Sequence, residues 1–121
     1  IGIGQGEIEM TTVQMANLAA ILANRGYFYT PHLAKGFRNG VAALPEKFLK
    51  KQSVSIDQEH FPPVIDGMAM AVSGGTGQSA AIDGIVVCGK TGTSQNPHGK
   101  DHSVFFAFAP KDNPKIAIAV Y

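Results

Sequence analysis

A lysine, two threonines and a glycine follow one another in the stretch Lys90-Thr91-Gly92-Thr93. The β-branched run at 85–87 precedes them, which predicts that they lie at the end of a β-strand. Because side chains alternate along a strand, the hydroxyls of Thr91 and Thr93 should share one face while Lys90 points to the other. Two hydroxyl donors on one face can bind a carboxylate, and a nearby ammonium group lowers the energy of that anion. The stretch therefore predicts one wall of a carboxylate-binding site.

Gly92 and Ser94 extend this candidate site. Gly92 has no Cβ, which leaves room for the backbone of a ligand to approach closely. An extended peptide could pair with the strand edge through main-chain hydrogen bonds, so we count Gly92 and Ser94 with the threonines as candidate substrate-binding residues. A three-letter lysine-threonine-glycine string is more often a solvated strand end than a binding site, so its context decides between the two.

Composition and charge limit the class of protein. The chain has 121 residues, 45% of them apolar, which is enough for one hydrophobic core and too little for two domains. A formal charge of +1 without a long basic run gives no electrostatic basis for binding nucleic acid. Cys88 has no second cysteine to pair with and is expected to be a buried thiol. The apolar runs are far shorter than the ~20 residues of a membrane span, so an anchor would lie outside these residues.

Two helices are predicted to position the strand. Thr11 and Gln14 form a capping box, so the first helix should begin there and end at Gly26, which suits a left-handed backbone. The second should begin at Pro62-Pro63 and end near Gly74. The stripe predicted to be buried on this second helix consists of Val64, Ile65, Met68, Ala69 and Val72. The region 41–61 shows no clear period and predicts a surface segment with at most a short strand.

The last third of the chain changes to the period of a β-sheet. The predicted strands are 85–87 running into the Lys90 stretch, then 103–109 and 116–120, with a turn at 110–114. Val104, Phe106 and Phe108 face one way and the residues between them face the other. Both faces are apolar, so the sheet should be covered on both sides. We therefore predict an α/β fold, with an antiparallel sheet covered by helices.

Longer stretches of the sequence resemble a known family. Residues 74–95, which include the Lys90 stretch, resemble the third motif of the penicillin-binding transpeptidases and its approach. Residues 4–16 look like the glycine-glutamine-glycine segment and buried helix of that family. Residues 95–103 and 108–115 resemble its elongation-type class B members, the penicillin-binding protein 2 group. The resemblance covers nearly the whole chain and is weakest in the region without a clear period.

The resemblance implies a peptidoglycan D,D-transpeptidase with a β-lactamase/transpeptidase-like fold, of which residues 1–121 would be the C-terminal part. In this family a serine attacks the carbonyl between two terminal D-alanines of a stem peptide, and an amine of a neighbouring strand then takes the acyl group. β-Lactams acylate the same serine. By resemblance, Thr91 and Thr93 would bind the terminal carboxylate. The catalytic residues would be Lys90, which supplies positive field and helps protons move, and Thr93, whose backbone amide would donate to the oxyanion.

The resemblance also implies the surroundings of the enzyme. It implies no cofactor and no metal. The partners would be the peptidoglycan stem peptide, β-lactam antibiotics and a glycosyltransferase of the elongation machinery. The site of action would be the periplasmic face of the bacterial inner membrane, with the anchor outside this chain.

The chain departs from the family pattern in two ways. No serine has lysine three residues later, and the serine-x-asparagine at Ser94 cannot face Lys90 across a cleft because it continues the same strand. The serines in question are Ser53, Ser55, Ser73, Ser79, Ser94 and Ser103. The nucleophile would lie before Ile1, so we expect the chain to be a fragment that is inactive alone. A smaller departure is Val104, where many relatives carry tryptophan.

Two other functions compete with the transpeptidase. Residues 84–91 satisfy the P-loop pattern of glycine, any four residues, glycine, lysine and threonine, although a phosphate loop should open onto a helix and this one is strand-like. A non-catalytic relative that senses peptides or β-lactams would keep the same strand without turnover. A serine-x-x-lysine motif elsewhere in the full-length protein would favour the enzyme over the sensor.

His98, Asp101 and His102 raise the possibility of a zinc site. Two histidines and a carboxylate can approach a metal, but a closed structural site usually takes four ligands. We predict instead a solvated loop near the rim of the active site, and no metal.

Overall fold

The computed structural model of the chain describes residues 9–36, 44–96 and 98–121. The glycine-glutamine-glycine segment singled out above, and residues 41–43 of the region without a period, lie outside the described residues. The helices are α1 (Thr12–Ala23), α2 (Glu46–Leu49) and α3 (Phe61–Ser73), with short 3-10 helices at Gln58–His60 and Gln78–Ala80. The strands are β1 (Tyr27–Phe28), β2 (Gln52–Ser53), β3 (Cys88–Ser94), β4 (His102–Ala109) and β5 (Ile116–Val120). Within the described residues no helix is both long and apolar enough to cross a membrane.

The capping box predicts the start of α1 correctly. The Gln14 amide donates to Thr11 Oγ1 at 3.3 Å, and the Thr11 amide donates to Gln14 Oε1 at 2.7 Å. At the other end the backbone becomes left-handed one residue earlier than predicted, with φ of 54° at Arg25 and 104° at Gly26. Gly26 has a second reason to be glycine, because an added Cβ would lie 2.9 Å from Phe61 Cζ. Gly26 therefore lies against Phe61, where the end of α1 packs on the start of α3.

Helix α3 begins one residue before the two prolines, and three of the five residues predicted to be buried on it are buried. Its buried residues are Phe61, Ile65, Met68 and Val72, whereas Val64 is 48% exposed. The reason is that Phe61, outside the predicted helix, sets the buried face at spacings of four, three and four residues. This face packs against β3, so the helix fixes the position of that strand relative to the core.

The predicted antiparallel sheet is confirmed as a three-stranded meander in the order β3-β4-β5. Lys90 pairs with Phe106 and Thr91 pairs with Phe105, so the alternation along β3 and β4 is as predicted. The strand begins at Cys88 and not in the β-branched run before it. Residues 82–85 form a turn instead, closed by the Ile85 amide donating to the Ile82 carbonyl at 3.1 Å.

One face of the sheet lies under helices, as predicted. Cys88 and Phe108 on this face join Ala23 of α1 and Ile65 and Met68 of α3 in the main hydrophobic core. On the opposite face a smaller cluster of Val72, Val87 and Ala107 packs with Phe105, but Ile116 and Val120 remain 59% and 57% exposed. Within the described residues, the prediction that both faces are covered is therefore only partly correct: helices lie over the Cys88 face, and the other face is covered only at its β3 side.

The region without a clear period contains the short strand that was predicted and a helix that was not. Strand β2 pairs with β1, with Tyr27 opposite Ser53. Helix α2 has four residues, none of them buried, so it lacks the apolar stripe that would have identified it.

Candidate functional site

Strand β3 carries the candidate residues on an edge of the sheet. Among the described strands it pairs with β4 only, so its other edge faces away from the sheet. Such an edge offers main-chain donors and acceptors to an extended ligand. Within the strand Cys88 and Gly89 are buried, whereas Lys90, Gly92 and Thr93 are exposed. The strand is therefore anchored at its first two residues and accessible from the third onward.

A cleft of about 580 Å³ lies beside the exposed half of β3. It brings together Thr91, Gly92 and Thr93, three of the predicted substrate-binding residues. Lys90 and Ser94 do not line it. The remaining lining residues are Thr76, Gly77, Ser79, Ala80, Ser103, Val104, Phe105 and Val120. The two threonine hydroxyls thus share a concave, mixed polar and apolar surface, the kind of site that fits a small carboxylate-bearing ligand.

Lys90 lies on the opposite face from the threonines, as the alternation predicts. Its side chain is exposed, and its ammonium group donates a hydrogen bond to the carbonyl of Thr91. The positive charge is thereby held against the backbone of the residue whose side chain enters the cleft.

Gly92 and Gly89 lie on the same strand but meet different surroundings. A Cβ added at Gly92 would have Val104 Cβ as its nearest neighbour, at an ordinary 3.7 Å. A Cβ added at Gly89 would lie 2.6 Å from Phe105 Cζ and 3.2 Å from Ala107 Cβ. The fold requires glycine at position 89, whereas at position 92 the fold itself would accept alanine. Val104, noted above as a departure from the family pattern, is half-buried beside Gly92 on the cleft wall.

Thr76 is a cleft residue that the sequence did not single out. Its Oγ1 lies 2.7 Å from Thr91 Oγ1, in the glycine-rich segment between α3 and the second 3-10 helix. The sequence predicts a turn at 74–77, and the structure has one, but the turn also carries a side chain into the site. The only signal in the sequence was a hydroxyl residue between glycines, which is a common composition for any turn.

The loop between β3 and β4 contains the residues considered above as metal ligands, and two of them contact Asn96. The Asn96 amide donates to Asp101 Oδ1 at 3.1 Å, and Asn96 Nδ2 lies 3.3 Å from His102 Nε2. The His102 ring stacks on Tyr121 with 5.1 Å between centroids. The described residues contain no group of three histidine, cysteine or acidic side chains placed to hold a metal ion. Asp101 and His102 instead contact Asn96 within this loop.

Cys88 is a fully buried thiol, as predicted. Burial raises its pKa, and the positive charges of Lys111 and Arg25 offset this only in part. A thiol with a raised pKa stays protonated and unreactive at neutral pH. Cys88 therefore belongs to the packing of β3 against α3 and not to the chemistry of the cleft.

The raised pKa of Cys88 gives a testable pH dependence. The pKa of Cys88 is higher in the folded protein than in the unfolded chain, so above an unfolded pKa of about 8.5 the thiol ionises in the unfolded chain first. The stability that the Cys88 thiol contributes is therefore fully present below that pH and falls as the pH rises toward the folded pKa. We expect the melting temperature of the protein to fall more between pH 8 and pH 10 than that of Cys88→Ala. The alanine variant also controls for Lys111, whose pKa is raised by its hydrogen bond to Asp66. Equal pH slopes in the two proteins would contradict the prediction.

Comparison with known proteins identifies the class that this fold and cleft define. A family model for the penicillin binding protein transpeptidase domain matches residues 1–121. The peptidoglycan D,D-transpeptidase MrdA of Haemophilus influenzae is 34% identical, and the match covers 99% of this chain and 21% of that protein. The crystal structure of Pseudomonas aeruginosa PBP2 in complex with WCK 5153 superimposes with a TM-score of 0.81 at 35% identity, covering 98% of this chain and 27% of that one.

A structure of penicillin-binding protein A from Mycobacterium tuberculosis, an imipenem acyl-enzyme complex, matches with a TM-score of 0.80 at 27% identity over 98% of this chain and 27% of that one. The chain therefore belongs to the penicillin-binding protein transpeptidase domain family, and its fold is the β-lactamase/transpeptidase-like fold predicted from the sequence. It spans about a fifth to a quarter of the length of the curated relatives that it matches.

The P-loop alternative is wrong. Lys90 and Thr91 lie inside strand β3, which continues to Ser94 and is followed by the loop to β4. A phosphate-binding loop needs its lysine and threonine at the N-terminus of a helix, where backbone amides point at the phosphate. Within the described residues of this segment, no helix follows.

Proposed function

We propose that the full-length protein containing this chain is a peptidoglycan D,D-transpeptidase of the penicillin-binding protein 2 type. The observation that carries the proposal is the cleft beside β3, into which Thr91 and Thr93 project from an edge strand, in a chain of the transpeptidase family. The name of the Haemophilus relative and the acyl-enzyme in the mycobacterial structure support the reaction type. Residues 1–121 would be the C-terminal part of its transpeptidase domain.

Each residue of the β3 wall has a role in this proposal. The hydroxyls of Thr91 and Thr93 bind the carboxylate of the terminal D-alanine, or the carboxylate of a β-lactam. The substrate lies along β3, next to Gly92 and Ser94, and the Thr93 amide donates to the developing oxyanion. Lys90 supplies positive field beneath the carboxylate site and helps the proton leave the nucleophile.

The nucleophile comes from outside this chain, because no serine here has lysine three residues later. A serine oxygen would attack the carbonyl of the penultimate D-alanine, form an acyl bond and release the terminal D-alanine. An amine of a second stem peptide would then displace the serine and form the cross-link. The reaction needs no metal or other cofactor.

The surroundings of the enzyme are part of the same proposal. The substrate and inhibitor partners are the stem peptide and β-lactams, and a glycosyltransferase of the elongation machinery supplies the glycan strands. The domain would act at the periplasmic face of the inner membrane.

The proposal is tested with a fluorescent penicillin. The full-length protein should be labelled covalently on a serine outside residues 1–121, and the isolated chain should not be labelled at all. Labelling of the isolated chain would show that the nucleophile has been misplaced, and an unlabelled full-length protein would contradict the proposal. A protein that is labelled but forms no cross-links from purified substrate would instead be a sensing relative.

A further inference from the structure

Thr76 lies 15 positions before Thr91 in the sequence, yet the two hydroxyl oxygens are 2.7 Å apart at the wall of the same cleft. We infer that Thr76 is a positioning residue, which orients the hydroxyl of Thr91 toward the carboxylate of the ligand. The inference rests on the proposed function, because it takes Thr91 as a carboxylate-binding residue. It goes beyond that function by giving the α3–β3 connection a part in substrate recognition.

The backbone on both sides of Thr76 is fixed against helix α3. The Gly77 amide donates to the carbonyl of Ala71 at 2.8 Å, and Gly77 itself is buried. A Cβ added at Gly75 would lie 2.9 Å from both the Cα and the carbonyl oxygen of Ala71, and one added at Gly77 would lie 3.2 Å from that oxygen. These two glycines allow the connection to fold back tightly onto the last turn of the helix.

Helix α3 in turn packs against β3, the strand that carries Thr91. Ile65 and Met68 of the helix share the main core with Cys88 of the strand, and Val72 packs with Val87 and Ala107. The two ends of the hydrogen bond between Thr76 and Thr91 are thus attached to elements that are themselves packed together. The backbone position of Thr76 is therefore set by the fold, which places its exposed side chain next to Thr91.

Either hydroxyl can donate in this bond, and a carboxylate in the cleft, which can only accept, favours the arrangement in which Thr76 donates to Thr91. A threonine hydroxyl has one proton and two lone pairs and otherwise rotates to suit its surroundings. When Thr76 donates to Thr91, the proton of Thr91 remains to donate to an anion in the cleft, and each bond polarises the other. Without Thr76, the Thr91 hydroxyl would have to be ordered by the ligand itself, which weakens binding.

The test compares benzylpenicillin with its methyl ester, which lacks the negative charge of the carboxylate, by their second-order rates of acylation of the full-length protein. Thr76→Val removes the hydroxyl and keeps the shape of the side chain, whereas Thr76→Ser keeps the hydroxyl. Ser73→Ala is the matched control, because it removes a hydroxyl at the end of α3 that does not line the cleft and donates to the Met70 carbonyl. Melting temperatures report whether each variant folds.

We expect Thr76→Val to lower the rate with benzylpenicillin by about 5- to 20-fold, the worth of one hydrogen bond in a chain that ends on a charged group. The rate with the methyl ester should change less than about twofold, and Thr76→Ser and Ser73→Ala should stay within the same margin of the parent. In a Thr91→Val background, Thr76→Val should have no further effect. This last comparison separates positioning through Thr91 from direct contact with the ligand.

Several results would overturn the inference. These are an unchanged rate for Thr76→Val with benzylpenicillin, an equal loss with both ligands, or an undiminished loss in the Thr91→Val background. If Thr76→Val lowers the melting temperature, Thr76→Ala provides a second hydroxyl-free variant for the same comparison. A parent protein that penicillin does not acylate would overturn the proposed function, and this inference with it. Acylation of the parent without an effect at Thr76 would leave that function standing.

Discussion

Lys90→Ala in the full-length protein should lower the rate of acylation by penicillin by roughly 10²- to 10⁴-fold while leaving the melting temperature nearly unchanged. The loss is expected because Lys90 acts both by its field at the carboxylate site and on the proton of the nucleophile. The fold should tolerate the change, since the side chain is exposed and its described hydrogen bond is to the Thr91 carbonyl. The measurement is the second-order rate of labelling by a fluorescent penicillin.

Two further variants separate the effect of position from that of charge and the effect of charge from that of proton transfer. Lys100→Ala removes the same charge from the loop between β3 and β4 and should change the rate less than about threefold, because an exposed charge outside the cleft is screened. Lys90→Arg keeps the charge but cannot give up a proton, so it should recover only the electrostatic part of the effect. Acylation of Lys90→Ala at the parent rate would remove this lysine from the mechanism.

Gly89→Ala and Gly92→Ala should have different effects on stability, although the two glycines are only three positions apart on one strand. At position 89 the added methyl group would press on the Phe105 ring at 2.6 and 2.7 Å, which forces the ring or the strand to shift. Overpacking of this kind costs about 1–3 kcal/mol, so the melting temperature should fall clearly. Phe105 also lines the cleft, so acylation should slow as well.

At position 92 the added methyl group meets only an ordinary contact with Val104, so the fold should keep its stability or gain up to about 1 kcal/mol from the less flexible unfolded chain. The methyl group would nevertheless stand where the ligand backbone approaches, and acylation should fall. Thermal unfolding and penicillin labelling of both variants check the pair. Normal labelling of Gly92→Ala would show that the ligand does not approach β3 at this residue.

The errors of the sequence-based prediction have a common cause. The buried stripe predicted on α3 includes Val64 and omits Phe61, because the prolines predict a helix start one residue too late. The β-branched run before β3 predicts a strand, but a turn closes at 82–85 and leaves Ile85 and Val86 exposed. In both cases the local pattern was compatible with two arrangements, and packing against the sheet selected one of them.

The sequence by itself determined the features that depend on neighbouring residues. The capping box at Thr11 and the alternation that separates Lys90 from Thr91 and Thr93 follow from short-range geometry, which a single helix turn or strand already fixes. Long stretches of sequence were also enough to indicate the family. Only the tertiary structure decided which glycine of β3 is required by packing, and that Thr76 meets Thr91. Those contacts join residues far apart in the chain, and their distances are set by the packing of α3 on β3 and of β3 on β4.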